Sequence, residues 1–159
     1  MITSSKEENQ GLSLRSRQLI DMRQRHHADC PICEGRSFAG VVSAFRVCQN
    51  GNVEARIMFD KEHEGYVGYV HGGMVTTVLD AAMTNCLFSY GIAGVTGELT
   101  VRFLCPIGSE RAFTVRARLE RALAPLYVLA GELYEKDCVM ARAKGKFVKK
   151  VTGCSDEEG

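Results

Sequence analysis

The sequence predicts an α+β domain in which a curved antiparallel sheet wraps one long central helix, with an extra helix near the N-terminus. Three observations carry this. Residues 74–89 are mostly apolar and hold neither glycine nor proline, the composition of a helix buried on most sides. Two stretches before that run and four after it have the β-rich or alternating composition of strands. The chain has 159 residues, room for one sizeable core but not for two ordinary domains. A single apolar helix among six strands must then be covered by a sheet that curls around it.

In chain order, residues 1–10 are polar and expected to be loose. Residues 12–27 follow with helical spacing: Leu12, Leu14, Leu19, Ile20 and Met22 recur among Arg15, Arg17, Gln18, Asp21 and Arg23. Pro31 and Gly35 mark a turn. Strands are expected over 38–48 and 53–59, joined by a hairpin loop at Gln49, Asn50, Gly51 and Asn52. Gly65, Gly68, Gly72 and Gly73 punctuate a loop before the central helix, which Gly91 and Gly94 terminate. The remaining strands fall at 97–105, 113–120, 126–134 and 139–148. The expected division is therefore 1–35 as a helix and loop extension, 36–150 as the domain, and 151–159 as a flexible acidic tail.

Composition narrows the function. Twenty Lys and Arg against 19 acids leave a net charge of +1, so no nucleic-acid partner is expected. The N-terminal residues carry Lys6, Glu7 and Glu8 where a secretory signal would need an apolar run. Asn85, Gly91 and Gly94 interrupt the longest uncharged stretch, 81–97, so no membrane span is expected. Seven scattered cysteines without an export signal fit reduced thiols in a cytoplasmic protein.

The chemistry concentrates in Gly65-Tyr66-Val67-Gly68-Tyr69-Val70-His71-Gly72-Gly73, which runs directly into the central helix. First-turn N–H groups lack intrahelical partners and carry partial positive charge, which suits an oxyanion. A glycine-rich turn that only starts a helix explains the same spacing. Asp80 is the one charge in its helix, and a buried carboxylate is costly unless paired or hydrogen-bonded. It is either chemically active or a structural aspartate satisfied by Thr76 and Thr84. Seven residues of helix separate Gly73 from Asp80, about 10 Å at ~1.5 Å per residue. That is too far for one carbonyl to meet both, and two chains across a two-fold axis would resolve it.

His71-Gly72-Gly73, six residues and then Asp80 in an apolar helix resembles the signature of the hotdog-fold acyl-coenzyme A thioesterases, phenylacetate-pathway branch. Residues 94–106, ending in Pro106, resemble that family's strand after the helix. The resemblance implies a homo-oligomer (dimer or dimer of dimers) with interfacial sites, hydrolysing an acyl thioester without metal or organic cofactor. It implies Asp80 as nucleophile or general base, the Gly72–Gly73 helix start (Gly73 above all) as oxyanion hole, and His71 as a residue that fixes the loop and is placed to contact the substrate. It also implies a hydroxyl at Thr96 that positions water or the carbonyl. The chain departs at Gly65, near which many relatives carry an asparagine beside the attacking water. The rival is a non-catalytic domain that binds or senses acyl-coenzyme A.

Several weaker signals remain. His26, His27, Cys30 and Cys33 have chelating spacing, but a closed zinc site needs four ligands. The fourth would have to be Cys48, Cys154 or a partner's residue, so an ordinary loop is expected. Cys86 and Cys105 fall in apolar runs and read as core. Arg142, Lys144, Lys146, Lys149 and Lys150 read as solvated edge-strand charges, with coenzyme A phosphates as the alternative. Tyr66 and Tyr69 line an acyl pocket or pack the loop.

Overall fold

A computed structural model describes residues 2–33 and 44–150, with side chains from residue 7 onward. Helix α1 (Ile2–His26) leads to strands β1 (Arg46–Val47) and β2 (Val53–Phe59), then a short 3-10 turn at Lys61–His63. Strands β3 (Glu64–Tyr66) and β4 (Tyr69–Val70) precede the central helix α2 (Gly72–Ser89). Strands β5 (Gly94–Phe103), β6 (Arg111–Leu123), β7 (Leu126–Glu135) and β8 (Cys138–Lys149) complete the fold. Six strands form one antiparallel sheet in the order β1-β2-β6-β7-β8-β5, and β3 pairs with β4 alone. This is the α+β hotdog fold that the sequence predicts.

The alternation of side chains explains the wrapping. Val53, Ala55, Ile57 and Phe59 of β2 are buried, as are Phe113, Val115 and Ala117 of β6, while the residues between them are more exposed. Their apolar face meets α2, where Val75, Val78, Leu79, Ala82, Met83, Cys86 and Leu87 are fully buried. Each large side chain of that set is stabilised by roughly 1.5–3 kcal/mol relative to exposure. The helix lies close against β8: a Cβ on Gly145 would stand 2.6 Å from the Phe147 ring and 3.2 Å from Met83 Sδ. Helix α1 covers another side of α2. Leu19 is buried between them, and Arg15 Nη2 donates to Ser89 Oγ at 2.8 Å while its guanidinium lies over the Tyr90 ring.

Several expectations change. The first helix begins at Ile2, so residues read as loose are helical; Lys6, Glu7, Glu8 and Gln10 are good helix formers that need no apolar stripe. Of the strand expected over 38–48, the described part, 44–48, is strand at Arg46–Val47, while 34–43 lie outside the described residues, as do 151–159. Gly94 opens β5 instead of ending the helix: it pairs with Lys149 of β8, and a bulge follows between Thr96 and Glu98. Strand β8 is internal, between β7 and β5. Its cations are therefore not edge guards: Arg142 pairs with Glu132 at 3.0 Å, Lys144 with Glu120 at 3.5 Å and Lys146 with Glu98 at 2.7 Å. Cys86 is core, but Cys105 is exposed.

Candidate active site

The loop before α2 is shaped by the small β3–β4 hairpin, whose turn passes through Gly68 at φ +82°. Val70 N–H donates to the Ile107 carbonyl and His71 N–H to the His63 carbonyl, both at 2.8 Å, which ties the loop to the sheet and the preceding turn. His71 is the N-cap of α2, and its Nδ1 accepts the Gly73 N–H at 2.9 Å. The His71 carbonyl accepts from the Met74 and Val75 N–H groups at 2.9 and 3.4 Å. Among the described residues this leaves the Gly72 N–H as the first-turn donor without an acceptor. The Phe103 ring rests against Gly72, where a Cβ would approach its Cζ to 3.3 Å.

Gly72 opens onto a groove of about 450 Å³ lined by Tyr66, Tyr69, Val70, Gly72 and residues 103–107. Tyr66 and Tyr69 are exposed there, at 85% and 50%. Two turns along the helix, half-buried Asp80 accepts a hydrogen bond from Thr96 Oγ1 of β5 at 2.7 Å. Thr76 does not satisfy Asp80, since its hydroxyl donates to the Gly72 carbonyl at 2.9 Å and that of Thr77 to Gly73 at 2.8 Å. The structure thus joins His71 to Gly73 and Thr96 to Asp80. Within one chain, eight residues of helix, about 12 Å at ~1.5 Å each, separate Gly72 from Asp80.

Beside α2, the loop after α1 gathers His27, Cys30 and Cys33, whose ligand atoms all lie within 4.8 Å of one another. Cys33 Sγ is 3.5 Å from His27 Nδ1, and Asn85 of α2 donates its amide to the same sulfur at 3.3 Å. Burial pushes the Cys33 thiol up to about 12, although the Asn85 hydrogen bond opposes this. Burial also lowers the His27 pKa, with His26 adding to the effect and nearby Asp80 opposing it. Cys48 is not in this cluster, and Cys154 lies outside the described residues. From the sequence Asn85 reads only as a break in an apolar run; a carboxamide inside such a run is the signal for a buried polar role, and the structure buries it fully.

Residues 67–141 match the sequence model of the thioesterase superfamily. The fold is shared with a putative thioesterase of Ralstonia eutropha JMP134, a phenylacetic acid degradation-related protein. The two are 26% identical with a TM-score of 0.65, over 85% of this chain and 98% of that one. The Escherichia coli PaaI protein from the phenylacetic acid degradation operon is 16% identical, with a TM-score of 0.72 over 86% of this chain and 96% of that one. A hypothetical thioesterase protein of Streptococcus pneumoniae TIGR4, solved with coenzyme A, is 17% identical, with a TM-score of 0.60 over 62% of this chain and 81% of that one. Against protein RHA08564 of the thioesterase superfamily, the chain spans 52% of that protein's length. No curated protein matches the sequence. The fold is of the hotdog class, and the match to the thioesterase superfamily model lies in residues 67–141, from the loop before α2 into β8. The phenylacetate-type resemblance read from residues 71–80 and 94–106 holds. No described helix is long and apolar enough to cross a membrane.

Proposed function

We propose that the protein hydrolyses an acyl-coenzyme A thioester to the free acid and coenzyme A, in the cytoplasm, at sites shared between two copies of the chain. The observation that carries this reading is the Thr96 hydrogen bond to Asp80 at 2.7 Å, which orients a carboxylate that forms no ion pair with a basic side chain among the described residues. In the Streptococcus pneumoniae protein, variants with alanine in place of an aspartate and of a threonine were solved, and those two positions are 16 apart. Asp80 and Thr96 have the same separation.

Asp80 takes a proton from water as the water oxygen bonds to the thioester carbon, or attacks that carbon itself and is then released by water. In both routes the carbon–sulfur bond breaks and the thiolate leaves, taking up a proton. The carbonyl oxygen gains charge on the way, and the Gly72 N–H stabilises it. This shifts the oxyanion donor from Gly73, the expected residue, because the Gly73 N–H already binds His71 Nδ1. Thr96 acts on the carboxylate and not on water or the carbonyl. His71 fixes the loop, and the groove beside Gly72 takes part of the acyl-coenzyme A.

The partner copy is proposed to join along β5, the last strand of the sheet among the described residues, where Val95 and Phe103 are about half exposed, at 53% and 49%. A second sheet paired there forms an isologous contact. It would bring Gly72 of one protomer towards Asp80 of its partner.

A non-catalytic acyl-coenzyme A binder is favoured by one feature. Gly65 offers no side chain to hold water, and a Cβ there would stand 3.1 Å from His71 Cδ2. A screen of aliphatic and aromatic acyl-coenzyme A esters, with free thiol as readout, separates the two. Hydrolysis of at least one ester is expected, falling at least ~100-fold in Asp80→Asn, the scale of losing a general base. Equal rates in the two proteins would remove Asp80 from the mechanism, and binding without turnover would favour the sensor.

A further inference from the structure

We infer that the loop joining α1 to the domain is a zinc site, in which His27, Cys30 and Cys33 bind one Zn2+ and solvent fills the fourth position. The three ligand atoms converge within 4.8 Å of one another. Zinc bound at about 2.3 Å to sulfur and about 2.0–2.1 Å to nitrogen places tetrahedral S and N ligands about 3.6 Å apart. Cys33 Sγ and His27 Nδ1 are already 3.5 Å apart. Cys30, partly exposed at the margin of the core, needs only a modest inward movement of its side chain.

A second observation points to the same ligand. Asn85 is fully buried, and its amide donates to Cys33 Sγ at 3.3 Å and to the Ala81 carbonyl at 2.8 Å. Its Oδ1 has no hydrogen-bond partner among the described residues. A buried amide aimed at a sulfur stabilises a thiolate far better than a thiol, and orients the ligand as outer-shell donors do in metal sites. Two soft thiolates with one imidazole suit zinc. The open side also has room. The surface hollow beside His27 and Cys30 leaves solvent access to a fourth coordination position.

The expectation of an ordinary loop rested on the missing fourth protein ligand. An open three-ligand site does not need one. Its effect is mechanical. His27 packs edge-on against Phe88 at 4.9 Å between ring centroids, and Asn85 and Phe88 both belong to α2. The metal would fasten the end of α1 to the C-terminal half of the helix that carries Asp80. This inference does not depend on the proposed hydrolysis.

The full chain, purified under reducing conditions, is stripped with a chelator, loaded with Zn2+ and dialysed before metal analysis. About one zinc per chain is expected, with a higher thermal midpoint than the stripped protein. Co2+ in its place should give thiolate-to-metal charge-transfer absorption and the intense visible bands of a tetrahedral site. Cys30→Ser and His27→Gln should each lower zinc affinity at least ~10-fold, while His26→Gln keeps it. Cys30 is partly exposed, so that variant is expected to fold, which circular dichroism checks. Loaded wild-type protein below about a tenth of a zinc per chain would overturn the inference. So would unchanged zinc binding in folded Cys30→Ser, or a Cys30–Cys33 disulfide that persists under reduction and excludes zinc.

Discussion

A lone carboxylate and a hydroxyl at 2.7 Å make a claim about Thr96 that its proximity alone would not. If Thr96 holds Asp80 in a reactive orientation, its loss should reduce turnover without weakening substrate binding. One such hydrogen bond is worth about 1–1.5 kcal/mol, so Thr96→Ala should lower kcat about tenfold with KM nearly unchanged. Thr96→Ser, which keeps the hydroxyl, should restore most of it. A rise in KM at constant kcat would assign Thr96 to substrate binding instead. At this scale the sequence revealed which residues mattered better than how they connect. Asp80 was conspicuous because charge is costly in an apolar helix. Spacing could not tell Gly72 from Gly73, because the difference lies in where the His71 side chain turns.

Among the elements, α2 was readable because sixteen consecutive residues without a helix breaker have few other ways to be buried. Strands β2 and β6 were readable because their alternation survives into the sheet. The β3–β4 hairpin was not. Its strands of three and two residues are too short to show a period, and the loop is held in part by the Ile107 carbonyl far along the chain. The inner position of β8 was also hidden, since strand order is set by pairing and not by sequence order. Glu54 on β2 shows how such pairing is pinned from outside the core. It binds Arg46 of β1 at 2.9 Å and Arg116 of β6 at 3.1 Å. Burial alone would raise its pKa, but hydrogen bonds from Arg46, Cys48 and Arg116 outweigh that and hold it below the ordinary carboxylate value. A depressed folded-state pKa gives stability that is present above the unfolded value and lost as the pH falls through the folded one. Glu54→Gln should therefore flatten the acid limb of the thermal midpoint against pH, from about pH 4.5 downward. The two curves should converge at the acid end; parallel curves would mean that the contribution is not ionic.

For the whole molecule, the separation of Gly72 from Asp80 makes a stricter test than oligomeric state alone. Asp80→Asn removes one half of a shared site, and Gly72→Pro removes the other by deleting the donor N–H. Proline is favoured at the first position of a helix, though its ring must be accommodated beside Phe103, so folding is checked first. Co-refolded mixtures form mixed dimers in which one of two sites recovers both halves. Activity should reach roughly a quarter of wild type if chains pair at random and sites act alone, above that of either parent. Mixtures as inactive as the parents would refute the shared site.

The position of β5 at the end of the sheet, among the described residues, has a further consequence for how such an enzyme would behave in the cell. With half a site on each chain, catalytic capacity would follow the concentration of pairs, not of chains. On dilution below the dissociation constant of the pair, activity per milligram would fall while the folded chains persisted. The rate would then rise with the square of the chain concentration, so a small change in expression would act as a larger change in flux.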